Sequence, residues 1–215
     1  MIISHGRRYV FVHIPKTGGT ALSLALESRA MKDDILIGDT PKAKQRRGRL
    51  KGVQTRGKLW KHATLADIDG LISPEELDGM FVFTLVRNPW DRMVSYYHWL
   101  RDQEFDHSAV RLAKRLSFGA FLQHPATQLS IGASTTASYV TDATGREHCD
   151  AFVRLEHLAE DLAPVEAHLG FALEVPHFNA SRRAKDYRQY YDDKLTETVG
   201  SLCRHDLKRF NYTFG

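Results

Sequence analysis

The stretch that most constrains the fold lies near the start of the chain. Tyr9-Val10-Phe11-Val12-His13-Ile14 is a β-branched and aromatic run that stops at Pro15, as a buried strand would. Gly18-Gly19 follow, and Thr20-Ala21-Leu22-Ser23-Leu24-Ala25-Leu26-Glu27 reads as a helix starting near Thr20. A strand feeding a glycine turn and a helix N-terminus gathers unpaired backbone N–H groups at the positive end of the helix dipole. Such a turn binds anions, phosphate-like groups above all. Gly18 and Gly19 permit positive φ and a close backbone approach. Thr17 and Thr20 can offer hydroxyls, and Lys16 offers a full charge. A Walker A loop places its lysine after the glycines. Here Lys16 precedes them, which disfavours a standard ATPase or GTPase loop.

The rest of the chain alternates in the same way. Met80-Phe81-Val82-Phe83-Thr84-Leu85-Val86 is an almost continuous apolar run, suited to a buried parallel strand. A helix should start near Pro89-Trp90 and reach about Leu100. Residues 108–123 have helical periodicity, Leu65-Ala66-Asp67-Ile68 looks like a helix start, and Ala151-Phe152-Val153-Arg154 reads as a strand. Further helices are expected near residues 158–169 and 192–210. Residues 38–58 and the Ser/Thr/Gly-rich residues 130–148 read as loops. This pattern predicts an α/β fold: a P-loop-like, three-layer arrangement with a mostly parallel central sheet flanked by helices. A length of 215 residues suits one domain spanning residues 1–215.

Charge is unevenly placed. The net +4 conceals nine Lys or Arg and no acid within residues 42–61, leaving 21 basic against 26 acidic side chains elsewhere, a net of −5. An evenly basic nucleic-acid coat is thereby excluded. Cys149 and Cys203 can build no disulfide framework and have no metal-ligand spacing. No apolar run is long enough to span a membrane, and the N-terminal residues lack a signal-peptide pattern. A cytoplasmic enzyme is the expectation.

A second anion-binding element follows the second strand: Arg87-Asn88-Pro89-Trp90-Asp91-Arg92-Met93-Val94-Ser95-Tyr96-Tyr97. Arg87 leaves the strand at its carboxyl end, the usual ligand edge of an open α/β sheet. Its fork of donors fits a phosphate, and Ser95, about two helical turns on, can add a hydroxyl. P-K-T-G-G-T after one strand and V-R-N-P-W-D-R-x-V-S-x-Y after another resemble the sulfotransferases that use 3′-phosphoadenosine 5′-phosphosulfate (PAPS). The resemblance is closest to the carbohydrate-type and bacterial branch, which includes heparan sulfate 2-O-sulfotransferase-like enzymes. Arg154-Leu155-Glu156-His157-Leu158, His177-Phe178-Asn179-Ala180-Ser181 and the segment from Tyr190-Tyr191-Asp192 to Phe210-Asn211-Tyr212 agree with it. It covers about residues 9–214, with residues 30–58 and 100–148 matching poorly.

The resemblance implies PAPS as sulfate donor, the 3′,5′-bisphosphate PAP as product and no metal. It assigns the 5′-phosphosulfate to Lys16, Thr17, Gly18, Gly19, Thr20 and the Ala21 amide, and the 3′-phosphate to Arg87 and Ser95. Arg182 and Arg183 are candidates for a C-terminal cofactor loop. It also implies a general base between the two cofactor motifs, and His62 fits that position. A histidine near its ordinary pKa of about 6.5 suits proton removal from an acceptor hydroxyl. Glu104 stays open as a carboxylate alternative, with His98 and His107 as weaker rivals. The expected partner is a hydroxylated acceptor, a carbohydrate by resemblance, with no nucleic acid and no membrane span. The basic stretch beside His62 points to an anionic acceptor met by Arg46, Arg47, Arg49 and Lys61. The remaining alternatives are a P-loop kinase and a polyanion-binding module built on residues 42–61.

Overall fold

The structure, a computed structural model, describes residues 1–176 and 183–215. Two compact units divide the chain, Met1–Val86 with Thr136–Phe178, and Arg87–Thr135 with Asn179–Gly215. In chain order the elements are β1 (Ile2–Ser4), β2 (Tyr9–Val12), α1 (Gly19–Ser28), β3 (Ile35–Leu36), α2 (Pro41–Arg46), α3 (Pro74–Leu77) and β4 (Phe81–Val86). Then come α4 (Pro89–Arg101), α5 (Ser108–Arg115), α6 (Phe118–Gln123), α7 (Pro125–Ala133) and α8 (Thr136–Val140). The last are β5 (Ala151–Arg154), α9 (Leu158–Asp161), α10 (Ala163–Leu169), α11 (Asp193–Leu202) and α12 (Arg204–Phe210).

The first unit holds a five-stranded sheet in the order β3-β1-β2-β4-β5. β2, β4 and β5 pair in parallel, with Val10 opposite Val82 and Thr84 opposite Phe152, while β1 runs antiparallel to both β2 and β3. β3 therefore points the same way as β2, and only β1 is reversed. Alternate strand residues face opposite sides, and both sides are covered. Ile3, Val10, Val12 and Val82 pack with Leu65, Ile68 and Ile72 on one side. Tyr9, Phe11, Phe83 and Leu85 pack with Leu22 and Leu26 of α1 and Val165 and Leu169 of α10 on the other. Apolar side chains buried this fully are worth ~1.5–3 kcal/mol each, so coverage of both faces is what holds the sheet. The expected α/β class with a mostly parallel, helix-flanked sheet is the one found.

The second unit is helical. Its core joins Trp90, Val94 and Tyr97 of α4 to Phe121 of α6 and to Leu195 and Val199 of α11. Asn88 caps α4, its Oδ1 accepting from the Trp90 amide at 3.1 Å. Its Nδ2 donates to the Thr213 carbonyl at 2.9 Å, and the Trp90 indole donates to the Thr196 carbonyl at 3.0 Å. The start of α4 is thus tied to the C-terminal segment of the same unit.

Several local expectations change. Part of residues 38–58 is helical: Thr40 caps α2 by accepting from the Ala43 amide, Pro41 opens it, and a 3₁₀ turn continues over Arg47–Leu50. Lysine and arginine are good helix formers, so high charge did not mean irregular backbone. Residues 130–148 include the end of α7 and all of α8. Leu65–Ile68 form turns rather than a helix, with Thr64 and Asp67 closing a reciprocal backbone–side-chain pair. The strands β1 and β3 had no sequence signal, being three and two residues long. The periodic stretch at 108–123 splits where Ser117 caps a new helix.

Thr40 links two elements. Its hydroxyl, besides capping α2, donates to the buried Glu27 carboxylate of α1 at 2.8 Å. Thr40→Ala removes the cap and strips a partner from Glu27, so stability is expected to fall by about 1–2 kcal/mol. The urea midpoint of the variant against that of the parent measures it, and an unchanged midpoint would show that α2 does not need the cap.

Candidate active site

In the first unit, β2 delivers His13 and Ile14 to the ligand edge, and the turn that follows is tight. Thr17 Oγ1 donates to the Ile14 carbonyl at 2.9 Å. Lys16 has φ +65° and Gly18 φ +89°. The left-handed conformation costs a lysine roughly 1–2 kcal/mol, so the surrounding packing holds it there. Gly18 is the N-cap of α1 with no side-chain cap bond, and α1 has no acid in its first turn. The positive end of this ten-residue helix therefore has neither a side-chain cap nor an acid in its own first turn. A Cβ on Gly18 would sit 2.8 Å from Leu155 Cδ1, and one on Gly19 would sit 2.2 Å from His13 Cδ2. Both glycines are needed for close approach, and Leu155, from the Arg154–Leu158 motif, backs the turn.

Two of the expected phosphate donors make local hydrogen bonds. The Thr17 hydroxyl is buried and bound to Ile14, and the Ala21 amide donates to the Gly18 carbonyl at 3.1 Å within the first helical turn. Thr20 is exposed and Lys16 half-buried, beside the amides of Gly18, Gly19 and Thr20 that open the helix.

His62 meets this turn from residues 60–62. Its Nδ1 lies 2.8 Å from the His13 carbonyl oxygen. A carbonyl only accepts, so Nδ1 carries the proton and the neutral ring keeps its lone pair on Nε2. The His62 ring stands edge-on to His13 at 4.6 Å and to Trp60 at 5.0 Å. Burial pushes the His62 pKa down to about 4; the bond to His13 opposes this and Lys61 adds to it. His62 is thus neutral at pH 7, with a lower pKa than an ordinary histidine. Burial also holds His13 well below the usual range.

The other base candidates belong to the second unit. Glu104 is exposed and pairs with Lys114 at 3.0 Å. His107 caps α5, accepting from the Ala109 amide, and His98 packs edge-on against Tyr97 and Tyr190.

Also in the second unit, Arg87 Nε and Nη2 donate to Asp91 Oδ2 at 2.9 and 2.6 Å. Arg183 Nη2 pairs with the other oxygen, Asp91 Oδ1, at 2.6 Å. One carboxylate therefore holds two arginines that lie 96 residues apart in sequence. The Arg183 side chain is 6% exposed, and its Nε and Nη1 have no hydrogen-bond partner among the described residues. Ser95, one turn beyond Asp91 on α4, is buried. Arg182 and His177–Ser181 lie outside the described residues. Asp91 had a signal in the sequence, the i,i+4 spacing from Arg87, but Arg183 is brought to it only by the fold.

The basic segment separates into two sets. Arg46 Nη1 donates to the carbonyls of Met31 and Asp34 at 2.8 and 3.2 Å, and Arg49 donates to the Lys32 carbonyl. These two hold the turn at residues 31–34, each through its Nη1. Arg47 and Lys61 instead line a cleft of about 810 Å³ at the carboxyl end of β3.

The buried histidines set a pH dependence of stability. Unfolded imidazoles titrate near 6.5, whereas native His13 and His62 resist protonation, so below about pH 6.5 the unfolded chain binds more protons. Stability is expected to be full above that value and to decline as pH falls toward 4. Urea midpoints at pH 7.5 and 5.0 measure it, and His13→Asn should flatten the decline. A decline of equal steepness in the variant would assign it to other groups.

Residues 1–213 match the model described as the sulfotransferase family. Among solved structures, the chain is similar to a mouse sulfotransferase, SULT7A1, complexed with PAP, at 18% identity and a TM-score of 0.52, over 94% of this chain and 84% of that one. A retinol dehydratase in complex with androsterone and inactive cofactor PAP matches at 14% identity and a TM-score of 0.36, over 96% and 82% of the two chains. No curated protein matches the chain in sequence. With the family model spanning nearly all its length, the chain belongs to the sulfotransferase family.

Proposed function

We propose that the chain moves a sulfuryl group from PAPS to an acceptor hydroxyl by a single in-line displacement, with His62 as general base. The observation that carries this reading is the bond from His62 Nδ1 to the His13 carbonyl. It anchors a neutral base to the strand end that delivers the anion-binding turn. The residues present fit the donor. A helix N-terminus without a side-chain cap suits a phosphosulfate, and the unpartnered donors of a buried arginine suit a phosphate. The PAP in the mouse enzyme of similar fold is consistent with this.

PAPS supplies an electrophilic sulfur, to which the acceptor oxygen bonds as the bond to the phosphate oxygen of PAP breaks. Lys16 and the amides of Gly18, Gly19 and Thr20 hold the 5′-phosphosulfate and stabilise the charge that grows on the leaving oxygen. A single donor placed in this way is worth roughly 3 kcal/mol. Arg87, Ser95 and Arg183 hold the 3′-phosphate, with Asp91 setting the two guanidinium planes. His62 Nε2 takes the acceptor proton, and its Nδ1–H stays on the His13 carbonyl, so the ring does not turn away as it becomes charged. The resemblance supplies a carbohydrate as the acceptor class. The match of one family model to residues 1–213 supports treating both units as one sulfotransferase domain.

His62→Ala is expected to lower turnover by about 10²–10⁴-fold while the Kd for PAP stays unchanged. In the parent, kcat/KM should fall as pH drops through about 4, where His62 takes up its proton, and not near 6.5. Near-normal turnover in the variant would move the base elsewhere. Asp91→Asn keeps the size of the side chain but removes the shared charge, so PAP affinity should fall about tenfold or more. Adenosine 5′-phosphosulfate, which lacks the 3′-phosphate, should lose little. Equal losses for both ligands would deny Asp91 its part in the 3′-phosphate site.

A further inference from the structure

The cleft at the carboxyl end of β3 has a composition of its own. Ile37, Leu50 and Leu59 make an aliphatic wall, Trp60 adds an indole that is 46% exposed, and Arg47 and Lys51 stand exposed at its margin. Its volume of about 810 Å³ lies within the roughly 300–1,000 Å³ typical of small-molecule sites.

Its position relates it to the chemistry. β3 and β2 point the same way with β1 between them. Their ends are thus two strand spacings apart on one sheet edge, about 10 Å. Trp60, which lines the cleft, also meets the His62 ring at 5.0 Å.

Its chemistry narrows the occupant. Apart from the Trp60 indole, the polar side chains among the described lining residues are ionic: Arg47, Lys51, Lys61 and Asp39. Lys61 and Asp39 neutralise one another at 2.7 Å, whereas Arg47 and Lys51 have no acidic partner among the described residues. The lining has no Ser, Thr, Asn, Gln or Tyr. A sugar would set several hydroxyls against aliphatic walls, each unpaired one costing ~1–3 kcal/mol. An apolar ring or chain incurs no such cost, and an anion on it answers the two unneutralised cations.

We infer that this cleft receives the acceptor, and that the acceptor is an alcohol or phenol with a compact apolar body and one anionic group. The inference rests on the sulfotransferase reading above and replaces the carbohydrate in it. The reaction forms an O–S bond on the acceptor hydroxyl, breaks the S–O bond to PAP, and places the hydroxyl proton on His62.

The test uses radiolabelled PAPS with cholate, 3-hydroxydecanoate and 4-hydroxyphenylacetate, the methyl ester of each, and an unsaturated chondroitin disaccharide. PAP affinity is measured in parallel by calorimetry. At least one of the acids should be labelled, with kcat/KM tenfold or more above that of its ester. Arg47→Glu combined with Lys51→Glu, both at exposed positions, should erase that preference and leave the Kd for PAP unchanged. Labelling of the disaccharide but of no acid would overturn the inference and leave the transferase reading standing. An acid-over-ester preference that survives in the double variant would overturn it as well. PAP binding that fails outright would instead bring down the transferase reading itself.

Discussion

A single backbone carbonyl, that of His13, carries much of the organisation of the first unit. It leaves β2 at the point where the sheet gives way to the glycine turn, and it accepts the Nδ1 proton of His62. The side chain of the same residue lies against Gly19, so close that no Cβ could stand there. Backbone and side chain of one residue therefore fix both the His62 ring and the first helical turn. Because the ring is buried it stays uncharged, and the nearby positive charge of Lys16 and the helix end is not augmented by an imidazolium. A more polar strand end would admit water and loosen both contacts.

The second unit solves a comparable problem with charge rather than apolar packing. Two guanidinium groups close together repel, and a shared carboxylate is the simplest way to hold them at fixed orientation. Asp91 does so from the first turn of α4, where an acid also suits the helix dipole. The remaining donors of Arg183 have no partner among the described residues despite the burial of the side chain. In a stable protein such groups are uncommon, and they are found where a ligand completes the bonding.

The basic segment shows how far bulk charge can mislead. Nine cations in twenty residues suggest one polyanion surface, yet individual side chains do different work. Arg46 and Arg49 hold backbone carbonyls of the turn at residues 31–34, Lys61 neutralises Asp39, and Arg47 and Lys51 stand at the margin of an aliphatic cleft. Sequence can count charges, but it cannot say which of them a carbonyl or carboxylate has already engaged.

The features legible in the sequence share one property: they depend on neighbours within a few residues. β2, β4, the glycine turn and the start of α4 follow from hydrophobic runs, positive φ at Gly18 and the Asn88-Pro89 cap, all local in origin. The strand–glycine turn–helix order at residues 9–28 was legible for the same reason, since it needs only a strand, two glycines and a helix. β1 and β3 were not legible, because strands of three and two residues owe their existence to the partner that supplies their hydrogen bonds. Tertiary structure alone decided that Arg183 meets Asp91 and that His62 is buried enough to lower its pKa to about 4. Each of these depends on groups distant in the chain, or on exclusion of water, and neither quantity exists until the sheet is covered on both faces.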